Sequence, residues 1–444
     1  MKFDIYGIVN FVILTKKNYP YLCAMKSIFF SVIIVFGSYL YITAFSYSQE
    51  YNEELLLDGL DQLVFFGIDT TGHWWAATTP FKDRYRIYIN TFQSEIYEDI
   101  IDLTISPDGE QWAFWGIQSG TVNLIHRDEF GVINTLPLNA TDVGDIVYSP
   151  DGKQFAYSYF QGDNEIINLP FKQITVVNRN KNKLFIDNSG NQYAFVGQRG
   201  NKYVMNINGR ESTVYDDIKP IGFWHKGTFM YAGFNGNTWE IVNGTKTIGS
   251  SYWRVIDKQI NKYGTVMAVL VQLATGRCMS ITFSDEYYEP IYGRTYDDTW
   301  GLALHPKDVL IGYGAKEHHK YYILQNRTEY YATQNISAPF YSNNGDELIF
   351  IGMGEYGPYI SVNGARTDIR IGLYTDDKIA KKPNSETLAF TNNVSLHLYD
   401  YNRNILKSGN MYDKLTAAIY NRRTNSYEAL ATIYNRLYLC KWRM

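Results

Sequence analysis

The tetrapeptide Ser-Pro-Asp-Gly occurs twice, at Ser106–Gly109 and Ser149–Gly152, and each copy is followed by the same short pattern. Proline fixes φ at the second turn position and glycine supplies the positive φ that closes the hairpin, so each copy is a tight turn between strands. After a polar pair come an aromatic, an alanine and a second aromatic: Trp112-Ala113-Phe114 and Phe155-Ala156-Tyr157. That alternation is a strand with a small residue on one face. Eight weaker copies of the turn follow the same template, at Asp69 to Gly72, Asp187 to Gly190, Trp224 to Gly227, Asn261 to Gly264, His305 to Asp308, Ser342 to Gly345, Lys382 to Ser385 and Asn421 to Thr424. The spacings between turns are 37, 43, 38, 37, 37, 44, 37, 40 and 39 residues. A period of that size is one four-stranded unit of a repeat array.

Two further signals recur inside the period. About 18 residues after the turn glycine comes a second hairpin signal, Asn208-Gly209, Asn243-Gly244 and Asn363-Gly364, which predicts a type I′ turn between third and fourth strands. Shortly before the next repeat's turn, a tyrosine introduces a mostly acidic pair: Tyr97-Glu98-Asp99, Tyr215-Asp216-Asp217, Tyr296-Asp297-Asp298, with variants at Tyr374 to Asp377 and Tyr412-Asp413. The final repeat has room for three strands, the third near Arg436 to Arg443, and Asn52 to Leu57 stand ready to supply the fourth. The expected architecture is therefore an all-β propeller of about ten four-stranded repeats, closed by pairing of the N- and C-terminal strands, which removes the exposed edges. No Pro/Gly/Ser-rich linker divides the repeats, which favours one ring over two smaller ones.

Composition agrees and narrows the function. Of the 444 residues 16% are aromatic, 39 of them Tyr, and 35 are Gly, a balance that suits half-buried strands and tight turns. A net charge of −4 removes the basic surplus that a nucleic-acid partner requires. At the N-terminus Lys26, an apolar run from Ile28 to Phe45 and Ser46-Tyr47-Ser48 have the order of a signal peptide. Met25 is the natural start and cleavage is expected after Ser48, which divides the chain into an extension with its signal, 1–48, and a repeat domain, 49–444. An uncleaved anchor is the rival reading, because 18 apolar residues are just enough to span a bilayer. The cysteines remaining after cleavage, Cys278 and Cys440, lie four repeats apart and are expected as free thiols.

The Ser-Pro-Asp-Gly turn with its aromatic-Ala-aromatic strand resembles the WD40-like (PD40) repeats of the propeller domain of the periplasmic protein TolB and of many secreted bacterial propellers. The resemblance runs over 61 to 444 and is sharp in two repeats. It implies a secreted or periplasmic binding scaffold, free or surface-associated. The N-terminal α/β domain of the Tol protein has no room here, and the α/β-hydrolase domain that accompanies propellers in prolyl-oligopeptidase-like enzymes is missing.

The Tyr-acidic loops are the candidate binding constellation. In a propeller they surround one mouth of the channel, where Tyr97, Asp99, Tyr215, Asp217, Tyr296, Asp298, Asp377 and Asp413 offer a partial acidic ring to a basic peptide loop or a cation. The alternative is that each Asp accepts backbone N–H bonds in its own loop while each Tyr packs between repeats. Asp108, Gly109, Asp151 and Gly152 are read as turn formers at the opposite end of the channel. No GxSxG, HExxH, Gly-rich phosphate loop or Cys/His metal spacing occurs, so neither cofactor nor metal is expected. Glu317-His318-His319 is read as a solvated hairpin. The expected function is a protein or peptide interaction scaffold, not an enzyme; the alternative is a glycan- or peptide-acting enzyme with carboxylates at the channel mouth.

Overall fold

The computed structural model describes residues 50–444 except 61, 178–183, 225–226, 262, 288, 333–335, 343–344, 355–356, 369–378, 383–384, 393, 402 and 404. The expected cleavage after Ser48 lies outside these residues, as do Tyr374 and Asp377. Residues Tyr51–Arg443 form one compact unit, built entirely of antiparallel strands among the described residues. Blades 1 to 4 occupy 62–93, 99–138, 142–177 and 185–211, and blades 7 to 9 occupy 298–332, 340–368 and 379–408. Each is a four-stranded meander.

Blades 5 and 6 depart from the simple repeat. The fourth strand of one runs into the first strand of the other as a single 15-residue strand, Lys246–Ile260, which pairs with Trp239–Asn243 on one side and Val266–Leu273 on the other. The chain needs no loop there because bulges near Ile241, Tyr252 and Val255 turn the strand gradually from outer to inner position. Blade 10 takes its inner strands from 414–433, its third from Arg436–Arg443 and its fourth from the other end of the chain, Tyr51–Leu57. Tyr51 pairs with Trp442 and Glu53 with Cys440, so the N-terminal strand closes the ring as the sequence predicts.

Burial follows the repeat. The second strand of each blade is the most buried, and its small residue is inaccessible: Ala76, Ala113, Ala156, Ala194, Ala232, Ala268, Ala389 and Ala429 are all 0% exposed. Ala113, Ala156, Ala194 and Ala268 each pack against the next blade, and flanking aromatics fill the space around them. Trp112 and Phe114 stack at 6.0 Å, and Tyr193 and Phe195 at 6.1 Å. Clusters such as Ile87, Ile89, Trp112 and Phe114 therefore lie between blades rather than at the centre of the ring. Cys278 and Cys440 are both free and buried.

The third-to-fourth strand turns explain the recurring asparagine. Asn208 and Asn363 adopt positive φ, and each side-chain oxygen accepts the backbone N–H that opens the second strand of its blade, Tyr193 at 2.9 Å and Leu348 at 2.7 Å. Asn90 and Asn326 do the same without a following glycine. Asn243 does not occupy that position. It is the last residue of its strand, paired with Lys246, and the two-residue turn is Gly244-Thr245 with φ +62 at the glycine. The Asn-Gly signal is therefore displaced by one residue in blade 5.

Candidate functional site

The inner strands run along the channel, and their two ends carry different chemistry. At the end where each blade passes to the next, the Tyr-acidic loops are built as fasteners. Tyr97 exchanges backbone hydrogen bonds with Tyr85 of its own blade, and Tyr215 does so with Tyr203 and Tyr296 with Cys278. The following residue donates its N–H to the second strand of the next blade: Glu98 to Ile117, Asp216 to Phe234, Asp297 to Lys316 and Asp413 to Thr432, at 2.7 to 2.9 Å. Each tyrosine ring is then driven between two blades. Tyr97, Tyr215 and Tyr296 are 5%, 4% and 1% exposed, and the latter two hydroxyls donate to Glu240 and Glu329.

The acids are committed as well. Glu98 pairs with Arg84, Asp216 with Lys202 and Asp297 with Arg277, each a base on the same blade. Asp99, Asp217 and Asp298 each accept the N–H of the next residue, at 2.9, 2.8 and 2.9 Å, and Asp413 accepts the N–H of Tyr434 at 2.7 Å. None of these residues lines the cavities at the turn end, and no cluster of three or more metal-ligating side chains is found among the described residues.

At the opposite end the turns interlock. In several turns the first residue carries a side-chain acceptor that caps the turn: Ser106 and Ser149 accept the N–H of Gln111 and Gln154 at 2.9 Å, and His305 Nδ1 accepts that of Asp308 at 2.7 Å. Asp108 Oδ1 accepts from Ser106 Oγ at 2.6 Å and from Glu110 N at 3.1 Å, and Asp151 repeats both bonds with Ser149 and Lys153. The glycine has a second duty beyond positive φ. A Cβ on Gly152 would stand 2.8 Å from Asp108 Cγ of the preceding blade, and Gly152 O accepts Gln111 Nε2 at 3.0 Å. Gly109 abuts Thr71 and His73 in the same way, Gly227 abuts Gln192, and Gly72 abuts Asn421 and Glu428 across the ring closure.

These turns and the inner strands beneath them enclose the channel's space. Cavities of about 790, 1070 and 770 Å³ open there, all three lined by Pro107, and among the described residues they are lined from every blade but the ninth. Their walls mix aromatic and apolar side chains such as Phe65, Leu103, Tyr148, Phe223 and Trp224 with polar ones such as Asp102, Asn188, Gln192 and Asn261. Val64 and Phe65, on the innermost strand of blade 1, are 49% and 40% exposed. Arg422 and Arg423 stand at the blade 10 side, Arg423 reaching Glu110 of blade 2 at 2.7 Å.

The inner strands present their side chains through a bulge near the middle of the strand, seen in blades 1, 2, 3, 5, 6 and 7. At this position Asp145 accepts Leu184 N at 2.8 Å and Asp257 accepts Leu302 N at 2.9 Å, each pinning the next blade. Asp102 occupies the same position in blade 2, at φ +52, but its carboxylate accepts no hydrogen bond from a described residue. Burial, with the charge of Asp145 beside it, holds its carboxyl above the ordinary range. The spacing of the turns locates this end of the channel, and Pro107 is part of the Ser-Pro-Asp-Gly signal. The lining residues Asp102, Tyr148 and Trp224 carry no motif of their own.

No family model and no curated protein matches the chain. Solved structures similar to it include one described as the eukaryotic initiation factor, at 13% identity and a TM-score of 0.44, covering 75% of this chain and 98% of that one. The Dos1 propeller has 10% identity and a TM-score of 0.38, with 78% and 92% covered. TolB from Acinetobacter baumannii has 12% identity and a TM-score of 0.28, with 59% and 76% covered. The propeller assignment rests on the chain's own strand order and closure.

Proposed function

We propose that this chain is a secreted or periplasmic WD40-like propeller that holds a protein or peptide partner at the turn end of its channel. One observation carries the reading: three cavities that share Pro107 open through the interlocked turns, while at the other end Glu98, Asp216 and Asp297 are each paired with a base. A wide mouth whose walls mix apolar and polar side chains, with exposed Val64 and Phe65 beside it, suits a polypeptide segment. Secretion is supported by the order of basic, apolar and small residues before Gln49.

The enzymatic alternative needs a working pair of carboxylates in one cavity. Of the acids that share a cavity with Asp102, Asp145 is held by Leu184 N, Asp187 by Gln192 N and Ser189 Oγ, and Asp69 by the N–H groups of Thr71 and His73, so each already accepts a backbone N–H. This supports the interaction reading. The test is photo-crosslinking in intact cells from benzoylphenylalanine placed at Tyr263, a half-exposed residue of the mouth, or at Tyr434, 90% exposed and away from the cavities. A discrete partner adduct from position 263 is expected. Adducts from 434 alone, or from neither, contradict the proposal; N-terminal sequencing of the mature chain, expected to begin at Gln49, tests the compartment.

A further inference from the structure

We infer that the segment entering the channel carries a lysine or arginine that meets Asp102, with apolar residues on either side of that base. This rests on reading the turn end of the channel as the partner site. Asp102 lies where the cavities of about 1070 and 770 Å³ meet, and it lines both. The same linings hold the apolar side chains Phe65, Leu103, Ile105, Ile146, Tyr148 and Phe223, among polar groups that include Thr104, Asn188 and Gln192. Among the described residues lining these two cavities there is no lysine, arginine or histidine.

The repeat sharpens the point. Asp145 and Asp257, at the same place in their blades, are consumed by backbone N–H groups of the next blade, whereas Asp102 projects exposed into the channel without such a donor. Filling the cavities with a neutral or acidic segment would strip water from that carboxylate and give nothing in return, a cost that selects against such partners. A lysine or arginine satisfies both demands, since its aliphatic stem lies along apolar walls while its head meets the carboxylate. A bare metal ion is poorly served, because it would find one free carboxylate where hard cations require several oxygen ligands. The carboxyl's upward displacement, caused first by burial and then by Asp145, is what an approaching cation would reverse.

The experiment uses the full chain and a phage-displayed library of random dodecapeptides. Selected peptides are expected to share one Lys or Arg between apolar residues, and to crosslink from benzoylphenylalanine at position 263. Their affinity, read by fluorescence anisotropy, is expected to fall at least tenfold for Asp102→Asn, to be partly kept by Asp102→Glu, and to lose its dependence on Asp102 when norleucine replaces the base. Asp102→Asn is isosteric, and an unchanged melting temperature shows that the variant is folded. Peptides that crosslink at 263 but lack a base, or that bind Asp102→Asn equally well, overturn this inference and leave the channel reading intact. Peptides that bind without crosslinking at 263, or a library that yields no binder, overturn both.

Discussion

Replacing Gly152 by alanine tests how adjacent blades are locked together. Gly152 has φ +81, and a left-handed backbone costs an L-residue about 1–2 kcal/mol. The added Cβ would also lie 2.8 Å from Asp108 Cγ and 3.0 Å from both of its oxygens, too close for any real contact. Asp108 has to move, and it forfeits its bonds to Ser106 Oγ and Glu110 N, each contributing about 1 kcal/mol. The expected total is about 3–4 kcal/mol, at the upper end of what single substitutions do. Gly162 is the internal control, with φ +61 and nothing within 4 Å of an added methyl, so its alanine variant bears the backbone cost alone, about 1–2 kcal/mol. Urea unfolding followed by tryptophan fluorescence supplies both values. Asp108→Ala combined with Gly152→Ala should recover part of the loss, because the obstacle is gone. If Gly152→Ala costs no more than Gly162→Ala, the turns do not interlock as described.

The joint between blades 8 and 9 offers a second test: Lys381, fully buried, meets Glu347 at 2.9 Å, and burial holds its ammonium pKa down against the pull of that carboxylate. Lys381→Met should cost about 3 kcal/mol by stranding Glu347, and Lys381→Met with Glu347→Leu should restore most of it; equal losses in the single and double variants would contradict the pairing. His126 and His397 both have pKa values lowered by burial, so the unfolded chain binds protons that the folded one refuses. Stability should thus be level above pH 7 and decline as pH falls through the unfolded histidine value near 6.5, with His397→Gln flattening the decline. A profile that rises between pH 7 and 5.5 would be inconsistent with buried neutral imidazoles. Burial pushes the Cys440 thiol up to about 11, and both cysteines should resist a thiol reagent until urea unfolds the ring; labelling under native conditions would show that one of them is reachable.

Much of the fold is legible because its rules are local. A proline and a glycine at fixed turn positions, an alanine between aromatics and an asparagine before the fourth strand each state a backbone or packing requirement within a few residues. The closure is readable too, since a three-stranded last repeat leaves an edge that Asn52 to Leu57 can cover. What is not legible depends on contacts a whole repeat apart. Nothing near Gly152 announces that Asp108, 44 positions earlier, stands against it. The Tyr-acidic loops resemble a binding ring because their repetition is conspicuous, yet the same repetition serves the joint between blades, with the partner base at Arg84 or Lys202 in another strand or at Arg277 in a hairpin turn. Asp102 and Asp145 are equivalent in sequence and differ in role only because Leu184 reaches one of them.

The channel exists only if the ring closes, and closure can be trapped with one substitution. Glu53 stands directly opposite Cys440 in the antiparallel pair of terminal strands, where facing Cα atoms are about 4.5–5.5 Å apart, within the span of a disulfide. Glu53→Cys should therefore form an intramolecular bond with Cys440 under mild oxidation, seen as a loss of about 2 Da for the two hydrogens removed and a faster band on a non-reducing gel. A free Cys440 alongside a monomeric Glu53→Cys chain, or bonds formed only between molecules, would show that the N-terminal strand does not complete the tenth blade.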